Sequence, residues 1–293
     1  MIDAVVATRD SRELILECIE RLRSPLLDRV VVVDNGSTDG TPDAVRESRP
    51  EVDVVVVGRP EGLSYAYNRG AEAGTAELVL FLNDDVFATD EAVAVLAQAL
   101  EERPGAVAAA GRLVDPTDGA TQDQYLPRPF PGALTLAGTL FGRPRRPLDV
   151  PGEGVVAVDQ PPGACLLVRR TAFESAGGWD EEFEFWFEDL DLARRLGAQG
   201  EILFVAGAAF PHVGGASAGR LSRAEVVARS YRGALLYAQR HLGLGGRAIT
   251  APAFALAAAA RMVSARDAES RSAYSLVLRD ALRIVGGRGV RPR

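Results

Sequence analysis

Lysine is missing from all 293 residues: apart from two histidines, every cationic side chain is an arginine. A chain without lysine has neither a Schiff-base amine nor the phosphate-binding lysine of a P-loop. Cysteine is nearly as scarce, with Cys18 in a helical pattern and Cys165 in a strand pattern. Neither has a second cysteine nearby, which argues against a disulfide or thiolate metal site and makes both small buried hydrophobes. Long apolar runs are lacking too. The most apolar later stretch, 251 to 260, is bounded by Arg247 and Arg261 and is shorter than the roughly 20 residues that span a bilayer. The segment Met1 to Ala7 shows no cationic stretch followed by a long apolar one, so a cytoplasmic protein without a secretory signal is expected. There is no internal repeat and no GxGxxG dinucleotide fingerprint.

What is present is a globular composition, 47% hydrophobic and 25% charged, in a chain long enough to bury a sizeable core. The net charge of -7 conceals a division. Residues 1 to 216 hold 19 arginines against 36 acidic residues, a balance of -17; residues 217 to 293 hold 14 against 4, a balance of +10. The acidic part disfavours nucleic acid, and the basic tail suits an anionic partner or peripheral contact with a membrane. The expected organisation is therefore a domain over 1 to 216 and a basic helical extension over 217 to 293.

Apolar runs and amphipathic segments alternate in the first third. Their spacing predicts strands at 2 to 8, 30 to 34, 52 to 57 and 77 to 82, and helices at about 11 to 23, 41 to 48, 64 to 74 and 89 to 102. Thr41-Pro42 reads as a cap residue followed by proline at the first helical position. Such alternation implies βαβ units and a mainly parallel sheet, whose ligands bind at the carboxyl ends of the strands. Residues 111 to 163 are broken and rich in Pro and Gly, and read as a long loop that is either functional or disordered. Regular structure resumes with a strand at 164 to 168, a helix at about 187 to 198 and a strand at 202 to 205; the chain after His212 reads as helical, with breaks near 243 to 246 and around Ser264.

Chemistry-bearing residues gather at the ends of these strands. Asn83-Asp84-Asp85 follows Leu78-Val79-Leu80-Phe81-Leu82. Carboxylates leaving a buried strand are costly unless a cation meets them, and a divalent metal carrying a diphosphate would do so; a plain turn before Thr89-Asp90-Glu91 would also explain them. Asp34 ends a Val-rich strand and could accept a hydrogen bond from the imide N–H of a pyrimidine base, although Asn35-Gly36-Ser37 alone would make an ordinary turn. Between Gly177 and Asp191 a dense acidic cluster is mixed with aromatics. Pairing with Arg194 or Arg195 accounts for Asp191, but not for Glu188 and Asp189 beside an aromatic wall, where a general base and a sugar-stacking surface would fit. His212 follows a strand in a Gly-rich loop, where a neutral imidazole could complete a metal site held by Asp85; His241 reads as structural or solvated.

In their order these segments resemble glycosyltransferase family 2, nucleotide-sugar-dependent enzymes with a GT-A fold. The resemblance rests on Val33-Asp34-Asn35-Gly36-Ser37-Thr38-Asp39-Gly40, Asn68-Arg69-Gly70, Phe81-Leu82-Asn83-Asp84-Asp85-Val86, Pro162-Gly163-Ala164-Cys165, Gly178-Trp179-Asp180-Glu181, Glu188-Asp189-Leu190-Asp191 and His212. It covers about residues 1 to 240 and looks closest to the rhamnosyltransferase-like branch. One departure is Asn-Asp-Asp where many relatives have Asp-x-Asp: Asn83 can bind a ribose but adds no charge to a metal site.

The resemblance implies inverting transfer from a UDP- or dTDP-sugar, dTDP-rhamnose included, to a hydroxyl of a glycan or lipid-linked acceptor in the assembly of cell-envelope polysaccharide. Thr8, Arg9, Asp34 and Asn68 would line the nucleoside pocket, with Asn83 and Asp84 on the ribose side. Asp85, with His212, would bind Mg²⁺ or Mn²⁺. Asp189 would be the base, with Glu188 as runner-up, while Trp179, Asp180 and Trp186 would shape the acceptor or sugar site. Arg220, Arg223 and Arg232 are candidate phosphate contacts. Two other readings compete: a sugar-1-phosphate nucleotidyltransferase, which lacks its Gly-rich Arg/Lys signature here, and a nucleotide-sugar-binding paralogue without catalysis.

Overall fold

The structure, a computed structural model, describes residues 1–150, 152–183, 186–214 and 222–290. The chain divides into two compact units. One comprises Met1–Pro129, Pro147–Glu181 and Asp189–Gly214; the other gathers Phe130–Arg146, Glu182–Glu188 and Gly215–Arg293.

The first unit is built on an eight-stranded sheet of order β3-β2-β1-β4-β7-β5-β8-β6. Its first half is parallel: β1 (Ile2–Thr8) lies between β2 (Leu27–Asp34) and β4 (Leu78–Asn83), and β3 (Asp53–Val56) forms the edge. Helices α1 (Arg12–Arg21), α2 (Thr41–Ser48) and α3 (Leu63–Glu72) make the crossovers, and α4 (Asp90–Glu102) follows β4. Every residue of β1 is buried, as expected of a strand covered on both faces. Ala4 and Val6 join Ile15 and Cys18 of α1 and Leu96 of α4 in one core. On the opposite face, Tyr67 of α3, Phe81 of β4 and Trp179 stack with ring centroids 5.1 to 5.3 Å apart. Large side chains buried in this way contribute about 1.5–3 kcal/mol each.

The other half of the sheet holds β5 (Ala106–Val114), β6 (Val155–Ala157), β7 (Cys165–Arg169) and β8 (Glu201–Pro211). Here β7 runs antiparallel between β4 and β5, and β8 is parallel to β5. The segment 111 to 163 is therefore not loop throughout: β5 extends to Val114, and β6 and the short helix α5 (Ala133–Thr139) interrupt the rest. The helix predicted to start at Thr41 is entered through Gly40, in the left-handed conformation, so Gly40 is the cap. Thr41 instead donates its N–H and hydroxyl to Asp39 Oδ1, at 3.0 and 2.5 Å. Cys18 and Cys165 are free and buried, and burial pushes both thiols well above the ordinary range.

Between β7 and β8 the chain forms α6 (Arg170–Ser175) and α7 (Glu188–Gly197). In the second unit α8 (Arg223–His241), α9 (Gly243–Ser264) and α10 (Ala268–Val285) pack on one another, and α5 packs on α9. The breaks fall at Leu242 and just after Ser264, near where the glycines and serine place them. A capping box opens α8, Ser222 and Glu225 satisfying each other's backbone N–H.

Candidate active site

Parallel register brings the predicted donor residues to one edge of the first unit. Thr8 lies opposite Asp34 on β2, and Ala7 opposite Asn83 on β4. Thr8 Oγ1 donates to Asp84 Oδ2 at 2.8 Å, and Tyr67 Oη donates to Asn83 Oδ1 at 2.9 Å. The loops leaving β1 and β2 are tied together, since Asp10 N–H donates to Ser37 Oγ and Thr38 N–H to Asp10 Oδ1. Gly36 makes the tight turn possible: it has φ +80°, and a Cβ there would lie 2.7 Å from the Arg59 carbonyl carbon.

Asp34 is 1% exposed. Its Oδ2 accepts the Ser37 N–H at 3.1 Å, while the buried Oδ1 has no hydrogen-bond partner among the described residues. A buried acceptor left open is expensive, and a donor such as a base imide would fill the gap. Arg9 is half exposed and reaches Asp10 at 3.5 Å. Asn68 is more committed than the sequence suggests. Its amide donates to the Trp179 carbonyl and Glu181 Oε1 and accepts the Trp179 N–H, so it holds the turn after Gly178.

The second cluster joins β4 to β8. Beyond their ends an antiparallel bridge pairs Val86 with His212, and the Val213 and Gly214 N–H groups donate to the Asp85 carbonyl and Asp85 Oδ2. Asp85 and His212 are 4% and 2% exposed, with Asp85 Oδ1 3.5 Å from His212 Nε2. Gln122 fixes the imidazole. Its amide nitrogen donates to the His212 carbonyl at 2.7 Å, which leaves its Oε1 facing Nδ1 at 2.8 Å. That places a proton on Nδ1 and turns Nε2 towards Asp85 Oδ1, and in the neutral ring Nε2 is an acceptor. A carboxylate oxygen and an imidazole nitrogen facing each other in a buried site call for a proton or a metal ion between them. Asp85 Oδ1 has no hydrogen-bond partner among the described residues, and a carboxylate with an imidazole suits Mg²⁺ or Mn²⁺. These residues thus fit the expected metal, although no group of three His, Cys, Asp or Glu gathers there among the described residues. Tyr125 closes the cluster with its ring edge-on to His212, 4.7 Å between centroids. Burial and, after it, the charge of Asp85 push the Tyr125 phenol upwards.

The third cluster opens α7. Asp189 is half-buried and accepts the N–H of Leu190 at 2.8 Å. Its carboxylate lies over Gly163, where a Cβ would come within 2.9 Å of Asp189 Oδ2. Neighbouring Ala164 accepts the Asn83 N–H, so a short path of backbone links Asp189 to the Asn83–Asp85 turn. Glu188 is buried at the first position of α7. Asp191 is structural: it pairs with Arg195 at 2.5 Å, and Arg195 also caps the carbonyls of Ala176 and Gly178.

The two tryptophans expected at the acceptor or sugar site differ in exposure. Trp179 is 2% exposed in the Tyr67–Phe81 stack and offers no open face. Asp180 is half-buried after it. Trp186 belongs to the helical unit, exposed, with its carbonyl against Gly233 of α8; it and Phe187 have φ of 60° and 72°, a costly conformation for bulky residues. Among the arginines, Arg232 is engaged by Asp280 at 2.7 Å and Arg223 is exposed at the start of α8. Arg220 and the Glu184-Phe185 pair lie outside the described residues. Sequence reasoning missed Gln122 and Tyr67. A lone glutamine 90 positions from its histidine carries no spacing signal, and Tyr67 differs from a core aromatic only through its hydroxyl.

A family profile described as Glycosyl transferase family 2 matches residues 3–156. The chain belongs to that family. A relative from Mycobacterium tuberculosis, N-acetylglucosaminyl-diphospho-decaprenol L-rhamnosyltransferase, is 32% identical over 235 residues, 73% of this chain and 76% of the relative. Among solved structures, residues 1–349 of Staphylococcus aureus TarS with UDP-GlcNAc align at TM-score 0.60 and 16% identity, covering 97% of this chain and 81% of that one. The mannosyltransferase PcManGT from Pyrobaculum calidifontis, with GDP-Man and Mn²⁺, aligns at TM-score 0.55 and 20% identity, covering 97% and 80%. This family 2 glycosyltransferase therefore has the GT-A fold, with its open carboxylates at the strand ends where that fold is expected to meet a ligand.

Proposed function

We propose that this glycosyltransferase moves a sugar, with inversion, from a UDP- or dTDP-sugar to a hydroxyl of a glycan or lipid-linked acceptor. The observation that carries the reading is the pair of buried carboxylate oxygens without a hydrogen-bond partner among the described residues, Asp34 Oδ1 and Asp85 Oδ1, at the carboxyl ends of β2 and β4. Asp34 receives the base imide, and Thr8, Arg9, Asn83 and Asp84 surround the nucleoside. The kinship with a rhamnosyltransferase whose name specifies a polyprenyl-diphosphate-linked sugar favours dTDP-rhamnose and a lipid-linked acceptor.

Asp85 and His212 would hold Mg²⁺ or Mn²⁺, with Gln122 accepting from Nδ1–H and so orienting Nε2 towards the metal. When bound, the metal supplies positive charge to the departing diphosphate. Asp189 accepts the proton of the acceptor hydroxyl while that oxygen forms its bond to the anomeric carbon. The bond from that carbon to the diphosphate oxygen breaks, and the diphosphate leaves with the electron pair. Attack from the face opposite the leaving group inverts the centre. General-base help of this kind is worth about 10²–10⁴ in rate. Gly163 lets the Asp189 carboxylate lie flat against the backbone.

Incubating the protein with UDP-glucose and with dTDP-rhamnose in Mn²⁺ buffer, without acceptor, tests the reading. Slow release of nucleoside diphosphate from one of them is expected, with water taking the place of the acceptor. Tight binding without release from either donor, and no transfer to a polyprenyl-diphosphate sugar, would favour a binding paralogue instead.

A further inference from the structure

The helical unit leaves an apolar face uncovered. Between Ala248 and Val263 every exposed position of α9 is apolar: Ala248, Ile249, Pro252, Leu256, Ala260 and Val263. At 3.6 residues per turn these six lie within about 120° of the helix circumference, one continuous stripe. Leu256 and Val263 are 73% and 84% exposed. The opposite side of α9, through Phe254, Ala255 and Ala258, is buried in the unit's own core, so the helix is apolar on both sides. Packing explains only one of them. Helix α5 packs on α9, and its segment adds Leu134 and Phe141, 77% and 82% exposed. Such a concentration of large exposed hydrophobes marks an interaction surface.

Charge selects the occupant. Residues 217 to 293 carry 14 arginines against 4 acidic residues, and the α5 segment continues directly into Arg143, Arg145 and Arg146, of which Arg143 and Arg146 are exposed. Arg266 is exposed just beyond the end of the stripe. A symmetric dimer through this face would set the same basic unit against itself, which like-charge repulsion opposes. An anionic bilayer satisfies both features. Apolar side chains enter the boundary between headgroups and acyl chains while arginines stay with the phosphates. Among the described residues no helix is long and apolar enough to cross a membrane, so contact is within one leaflet.

We infer that the α9 stripe, together with Leu134 and Phe141 of the α5 segment, docks this protein onto an anionic lipid surface with α9 lying in the interface. The inference is independent of the donor chemistry, because vesicle binding is measured without nucleotide or metal. It deepens the transfer reading, since a lipid-linked acceptor presents itself at that surface.

Flotation of the full chain with vesicles of phosphatidylcholine plus phosphatidylglycerol, and of phosphatidylcholine alone, tests it. The wild type is expected to float with the anionic vesicles and much less with the neutral ones. Raised salt should weaken the binding, because exposed charges are screened over about 8 Å at physiological ionic strength. Leu256→Glu/Val263→Glu should lower the partition at least about tenfold, with unchanged circular dichroism because both side chains are exposed. Arg143→Ser/Arg146→Ser should lower binding to anionic vesicles alone. Absence of flotation at low salt would overturn the inference, as would a Glu double variant that floats like the wild type. A concentration-dependent dimer dispersed by the Glu variant, without vesicle binding, would assign the face to a second copy instead.

Discussion

Strand β1 carries buried acidic chemistry at both ends, and the ends are resolved differently. At its start Asp3, wholly buried, meets Arg170 at 2.6 Å and accepts the Ala76 N–H at 2.8 Å. Just beyond its finish Asp34 and Asp85 are as deeply buried, and like Asp3 each keeps one oxygen without a hydrogen-bond partner among the described residues; unlike Asp3, neither has an arginine in ion-pair reach there, and Asp85 faces the His212 imidazole instead. The first carboxylate is balanced within the fold. The second group is balanced only when something else arrives, so burial alone does not distinguish a structural aspartate from a ligand-binding one; the partner does. Asp191, neutralised by Arg195 on its own helix, belongs with Asp3.

Removing charge at each end should therefore have opposite consequences. The largest effect is expected for Asp3→Ala. Breaking one side of a buried ion pair costs about 3–5 kcal/mol, to be read from urea unfolding, and the specific activity of the folded fraction should not change. Next comes Asp189→Asn, which keeps the shape but cannot take a proton; transfer should fall about 10²-fold or more while nucleotide binding stays within a few-fold. Full activity in that variant together with an inactive Glu188→Gln would move the base by one residue. Gln122→Ala should weaken Mn²⁺ about tenfold, the lower end of what losing such a support costs a metal site. Electron paramagnetic resonance of free Mn²⁺ measures this, and metal-free nucleotide affinity should stay constant. The smallest effect distinguishes the two ends most finely: Asp85→Asn gives His212 Nε2 a donor in place of an acceptor, so the metal-free protein should gain up to about 1 kcal/mol. A loss as large as that of Asp3→Ala would put Asp85 among the structural aspartates.

The half of the fold with strong periodicity was legible. Val-rich and Leu-rich runs announced β1, β2 and β4, and α2 runs over Thr41–Ser48 as its pattern foretold, although its cap is Gly40. The strand β5 was missed because Ala106-Val107-Ala108-Ala109-Ala110-Gly111 has low strand propensity and no alternation; only its neighbours in the sheet, β7 and β8, make it a strand. At the site, the carboxylates were readable because acids at strand ends are conspicuous. Their surroundings were not. Trp179 reads as a stacking platform by composition, but its neighbours Tyr67 and Phe81 place it in the core. Asn68 looked available until the turn at Trp179 claimed its amide. Such features depend on contacts between residues about a hundred positions apart, which no local pattern encodes.

The central claim is that the open carboxylates at the carboxyl ends of β2 and β4 await a metal-bound nucleoside diphosphate. Titrating UDP and dTDP into the wild-type protein by calorimetry, once with Mn²⁺ and once with EDTA, tests it most directly. The account predicts binding of one or both that is at least about tenfold tighter with Mn²⁺, equivalent to about 1.4 kcal/mol, and a difference that disappears in Asp85→Ala. Equal affinity with Mn²⁺ and with EDTA in the wild type would contradict it.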